Sequence, residues 1–225
     1  MDAVLTPLRV LTAAAATLVL VPLNAPAAHA AARADSSYSA SLSTAISHIP
    51  VAAEDRTGYE RTKFTIWVDA DGNGCDTRDE VLIAEATQAP TVGSSCSLNG
   101  GEWYSSYDGV TTTDASDFDI DHLVPLAEAW DSGASAWTAQ HREDYANDLG
   151  DDRTLAAVSA SSNRSKGDRD PAEWLPADDD CAYVEHWVAV KIRWGLTQDS
   201  AEKAAISDQA ASCGNPTITV SVVSE

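Results

Sequence analysis

The stretch Phe118-Asp119-Ile120-Asp121-His122-Leu123-Val124-Pro125-Leu126 decides how this chain is read. It has the composition of a short strand, stopped at Pro125, whose ring leaves no N–H for a ladder. Histidine is the side chain best suited to accept a proton from water near neutral pH. The carboxylate of Asp121, one residue earlier, is a hard oxygen ligand for a divalent cation. Adjacent residues of a regular strand face opposite ways, so the pair serves one site only at a strand end or a strong twist, and Pro125 supplies such an end. Taken alone, Asp121-His122 fits a structural pair as well as a catalytic one.

A second stretch, Ser162-Asn163-Arg164-Ser165-Lys166-Gly167-Asp168, shifts that balance. The carboxamide oxygen of Asn163 is a neutral, hard metal ligand. If the segment is helical, Lys166 shares a face with Asn163. From residue 153 to 169, Arg153, Arg164, Lys166 and Arg169 stand against Asp168, a local +3 in a chain whose net charge is −21. So acidic a chain repels nucleic acid at long range, and composition by itself argues against such a partner. A basic island beside a candidate metal ligand is what a phosphodiester site needs, and local charge overrides the global figure here.

Working outward, residues 1–30 carry Arg9, the apolar run VLTAAAATLVLV and then Ala28-His29-Ala30, the pattern of a signal peptide. The run falls short of the ~20 residues that span a bilayer. The expectation is a secreted, extracellular, soluble monomer that does not engage a membrane. Its four cysteines, Cys75, Cys96, Cys181 and Cys213, lack zinc-ligand spacing and predict two disulfides. Of three possible pairings, proximity favours Cys75–Cys96 and Cys181–Cys213.

Residues 31–57 are expected to form a flexible lead-in with one short helix near Ser41–His48, and residues 58–225 a single α+β domain. Alternation through Phe64, Ile66 and Val68 predicts a strand running into an acidic turn. A helix follows over 79–86, a hairpin in GGEWYSSYDGV, and helices over 125–131 and 136–148. The segment 154–160 reads as a strand, SSNRSKGD as a helical start, and Pro171 as the first residue of a short helix. The last third is helical, amphipathic through Val184, Trp187, Val188, Ile192 and Trp194, with Asp199 and Glu202 spaced as a capping box. His48 and His141 are expected at the surface and His186 as a packing or capping residue; the scattered Trp and Tyr read as core.

Asp69-x-Asp71-x-Asn73-Gly74, with Glu80 five residues on, matches the oxygen pattern of a twelve-residue calcium loop. Against this stand the strand expected before it, Asp76 where an apolar residue is usual, and Cys75 inside it. The expectation is a structural Ca²⁺ or a plain acidic turn, with Arg78 paired to a carboxylate.

The order strand, DHxxP, strand, NRSKGD resembles the HNH nuclease motif. It is especially similar to the subgroup with Asn in place of the last histidine, as in the C-terminal nuclease domain of GmrSD-type restriction enzymes. The wider pattern (GCDTRDEVL, GEWYSSYDG, DIDHLVPLAEAW, NRSKGDRDPAEWLP) resembles a group of secreted bacterial HNH endonuclease family proteins, over nearly all of the mature chain. The resemblance implies a ββα-metal core over about 118–176, flanked by helices. It implies His122 as the general base, Asp121 and Asn163 as ligands of one Mg²⁺ or Mn²⁺, and nucleic acid, DNA before RNA, as substrate. Arg164 and Lys166 become the candidates for phosphate contacts. One departure stands out: the motif's middle Asn, which braces the loop carrying the base, falls where this chain has Asp151-Asp152-Arg153-Thr154-Leu155. Asp152, Thr154 or the earlier Asn147 are left to supply that brace. Two rivals accompany this reading: an inactive, Ca²⁺-stabilised binding or scaffold protein with the same fold, and a hydrolase of small phosphoesters.

Overall fold

The computed structural model describes residue 1 and residues 34–224; apart from Met1, the expected signal segment lies outside the described residues. In chain order the elements are β1 (Ala34–Ser41), α1 (Leu42–His48), α2 (Thr77–Ala84), β2 (Thr91–Val92), β3 (Leu98–Asn99), β4 (Trp103–Tyr104), β5 (Thr111–Thr112), β6 (Phe118–His122), α3 (Leu126–Asp131), α4 (Ala139–Ala146), β7 (Leu155–Ser159), α5 (Ala160–Lys166), α6 (Asp180–Arg193), α7 (Ser200–Ala210) and β8 (Thr217–Val223). The strands form four antiparallel pairs, β1–β8, β2–β3, β4–β5 and β6–β7. The α+β class and both favoured disulfides, Cys75–Cys96 and Cys181–Cys213, are as expected. No helix among the described residues is long and apolar enough to cross a membrane.

β6, β7 and α5 make a strand–strand–helix unit, with Ile120 opposite Ala157 and His122 opposite Leu155. The apolar face of β6, Phe118 and Ile120, packs with Leu155, Ala157, Trp103, Val81 and Leu82 into a small core of its own. The larger core gathers α1, α3, α4, α6 and β8 around Trp187, Trp194 and Tyr145. Val184, Trp187, Val188 and Ile192 all face inward from α6; burying each such side chain is worth about 1.5–3 kcal/mol. The box at the start of α7 closes in both directions between Asp199 and Glu202.

Four expectations are corrected. The lead-in is not loose: β1 pairs with β8 along its length, and Leu42, Ala45, Ile46 and Ile49 enter the main core. Residues 64–68 form no strand, because the side-chain amide of Asn147 rather than a neighbouring strand serves the backbone there, bonding Thr65 O (2.7 Å) and Val68 N (3.0 Å). Pro171 opens a turn and not a helix; Asp170 takes the N–H groups of Ala172 and Glu173 on one carboxylate oxygen. The last third ends in a strand, β8, whose period-2 run Thr217–Val223 carried the signal.

Candidate active site

His122 is the last residue of β6, the strand-end position that lets it share a site with Asp121. Both are 5% exposed. They line a pocket of about 210 Å³ together with Asn163, Arg164, Arg61 and Asp168. His122 Nε2 lies 2.9 Å from the carbonyl oxygen of Ala146, at the end of α4. A carbonyl only accepts, so the neutral ring carries its proton on Nε2 and keeps the lone pair on Nδ1. Trp67 stacks on the ring, with centroids 5.7 Å apart. Burial pushes the imidazole down to about 4, which leaves it unprotonated at neutral pH.

Asp121 is held from two sides. Tyr107 donates its hydroxyl to one carboxylate oxygen (2.6 Å), and Lys166 Nζ reaches both (2.9 and 2.7 Å) while also bonding the His122 carbonyl (3.0 Å). Burial pushes the Asp121 carboxyl up and the Lys166 ammonium down, and their contact opposes both shifts. Lys166 therefore departs from its expected place among the phosphate contacts: its side chain is fully buried and its charge points inward.

α5 follows β7 directly. The Ser159 hydroxyl caps it through Ser162 N, and Gly167, at φ 58°, ends it. This places Asn163 beside β6, with Nδ2 3.3 Å from Asp119 Oδ2. Arg164 also touches Asp119 (3.3 Å) but leaves 74% of its side chain in solvent. The basic island seen in sequence is taken apart by the fold: Arg153 is bound to Asp151 and Arg169 to the Lys166 carbonyl. Arg61, which carried no signal in sequence, is exposed at the pocket instead. Tyr107, in the β4–β5 hairpin, gave none either.

Of the three candidates for the brace, Asn147 has the geometry. Its oxygen accepts from Val68 N and Thr77 Oγ1, and its nitrogen donates to Thr65 O and Glu143 O. It thereby fixes the end of α4 that presents Ala146 O to His122. Thr154 Oγ1 instead donates to Asp148 (2.9 Å), which Arg193 grips with two nitrogens.

In the acidic loop, the oxygens expected to bind calcium accept hydrogen bonds from the loop's own donors. Asp69 accepts from the N–H groups of Gly72, Asn73 and Gly74. The Asn73 amide nitrogen sits between Asp71 (2.8 Å) and Glu80 (3.0 Å). Arg78 bonds the carbonyls of Ala115, just ahead of β6, and of Phe118, its first residue, not the carboxylate expected. His141 is buried, against Trp137 and Trp194, where exposure was expected.

Residues 77–209 match the family model of the GmrSD restriction endonucleases, C-terminal domain. An uncharacterized secreted protein of the fungus Arthroderma benhamiae is 43% identical over 158 residues, which cover 69% of this chain and 76% of that one. That relative is fungal where the resemblance had pointed to bacteria. No solved structure matches. The two disulfides and the secreted relative agree on an extracellular location. The chain belongs to the family of the GmrSD restriction endonuclease C-terminal domain.

Proposed function

We propose that this chain is a metal-dependent endonuclease of the HNH type that hydrolyses phosphodiester bonds of nucleic acid, DNA in preference to RNA. The observation that carries it is the convergence of Asp121, His122 and Asn163 on one pocket, with the exposed Arg61 and Arg164 beside them. His122 Nδ1 takes the proton of the attacking water, and the Ala146 carbonyl holds the ring in the tautomer that makes this possible. Lys166 holds Asp121 in place beneath the pocket and balances its charge. Arg61 and Arg164 take the phosphates on either side of the scissile one, and Arg164 leaves Asp119 to do so.

The donors fit a hard divalent cation: a carboxylate and a carboxamide on facing elements of one pocket, with no thiolate near. Asp121 and Asn163 would hold Mg²⁺ or Mn²⁺, which supplies charge neutralisation at the scissile phosphate and the leaving oxygen.

Plasmid nicking by the purified protein, with EDTA, Mg²⁺, Mn²⁺ or Ca²⁺, tests this. Cleavage should require metal and fall about 10³-fold in His122→Ala, within the roughly 10²–10⁴-fold range that a positioned general base contributes. Absence of cleavage with every metal would leave the scaffold reading in possession. Hydrolysis of a small phosphodiester but not of polymer would favour the third.

A further inference from the structure

On the far side of Asp168 from the catalytic pocket lies a second cavity, about 180 Å³, lined by Glu54, Glu128, Asp170 and Asp199 among others. Carboxylate oxygens of Glu54, Glu128 and Asp131 lie within 4.8 Å of one another, as do those of Glu54, Asp170 and Asp199. That span is twice a Ca²⁺–oxygen distance of about 2.4 Å, so one ion fits between the oxygens of either set. Acidic clusters are common on protein surfaces, and proximity alone would carry nothing. Asp131 adds a separate observation. It is 93% buried, its Oδ2 takes Arg56 at 2.6 Å, and its Oδ1 is buried with no hydrogen-bond partner. A buried carboxylate oxygen without a donor is costly unless a cation meets it.

We propose that Glu54, Glu128 and Asp131 bind a divalent cation, with Asp170 and Asp199 on the other side of Glu54 adding to the negative charge around it. The donors are all carboxylate oxygens, with no histidine or cysteine, which selects Ca²⁺ over zinc or copper and suits an extracellular concentration of that ion. Two cations already present, Arg56 on Asp131 and Lys191 on Glu128, leave the cluster negative. Glu54 lies at the surface, where an ion from solvent can reach the cluster. Such an ion would tie the segment after α1 to α3, beside Arg56, which meets both Asp131 and the Asp168 that lines the catalytic pocket. The site is independent of the catalytic reading.

Calorimetric titration of the metal-stripped protein with CaCl₂ tests it. One binding event should weaken at least tenfold in Glu54→Gln and in Asp131→Asn. The same event should stay within twofold in Asp121→Asn, which removes the catalytic carboxylate, and in Asp71→Asn, which removes one from the acidic loop. Failure of Glu54→Gln to shift any event by threefold, or absence of binding up to 10-fold above extracellular calcium, overturns the proposal. Loss confined to Asp71→Asn does so as well, by returning the ion to the loop. Glu54 lies at the surface, so its variant decides the matter even if Asp131→Asn does not fold.

Discussion

Replacing Lys166 by methionine tests the inward role that the structure gives it. The ammonium is fully buried and makes three contacts, two to Asp121 and one to the His122 carbonyl. Methionine keeps the apolar stem, one atom shorter, but leaves Asp121 buried with Tyr107 as its remaining side-chain donor. Removing one partner of a buried pair costs about 3–5 kcal/mol, because the other charge is left without compensation. Tyr107 offsets a part of this, so we expect a loss of about 3 kcal/mol in the metal-free protein. The measurement is urea unfolding in EDTA, followed by tryptophan fluorescence. Asp121→Asn combined with Lys166→Met should recover at least half of the loss, since the uncompensated charge is then gone. Mg²⁺ should stabilise Lys166→Met more than wild type, because it offers Asp121 a replacement cation. A loss under about 1 kcal/mol, the range of exposed ion pairs, would refute the reasoning and return Lys166 to the phosphate contacts.

Three further outcomes are expected. The folded-state His122 titrates at about 4 against an ordinary 6.5, so between these values the unfolded chain binds the extra proton and stability falls as pH drops. Wild type should therefore lose about 3 kcal/mol more than His122→Asn between pH 7 and pH 4, measured in EDTA; Glu85 and Glu202, raised to about 7 chiefly by burial, titrate the opposite way in both proteins and cancel in the comparison. Asn147→Ala removes four hydrogen bonds, and unfolding should show a loss of about 2–3 kcal/mol together with slower cleavage, whereas a stability loss with unchanged cleavage would deny it the bracing role. Breaking Cys181–Cys213 by paired Ser substitution should cost about 3–4 kcal/mol for its 32-residue separation, read from denaturation midpoints.

What the sequence made legible was whatever local pattern determines. The strand at 118–122, the helix after 159, the amphipathic α6 and the Asp199–Glu202 box all depend on neighbours within one or two turns, and all appear. The disulfide pairing followed because the two favoured partners are the nearest ones along the chain. The misses share the opposite property. β1 needs β8, some 180 residues away, and Ser39 meets Thr219 only in the fold. Residues 64–68 alternate like a strand but have no strand to pair with, and a side chain from α4 serves their backbone instead.

Charge was the property that one dimension misrepresented most. Four cations within 17 residues looked like one surface, yet the fold sends Lys166 inward to Asp121, ties Arg153 to Asp151 and turns Arg169 back on the α5 terminus. What reaches the pocket is Arg164 from that island and Arg61 from outside it. Spacing along a sequence constrains which residues can share a helix face; it does not say whether that face looks to solvent or to a buried carboxylate. The site accordingly depends less on a positive surface than on burial, which keeps His122 neutral and gives Asp121 a fixed partner. In an acidic protein, the nuclease reading then expects attraction for phosphate to be confined to the pocket itself. Weakening Arg61 and Arg164 together should thus reduce cleavage and its salt dependence, while substitutions at Arg153 and Arg169 should leave both unchanged.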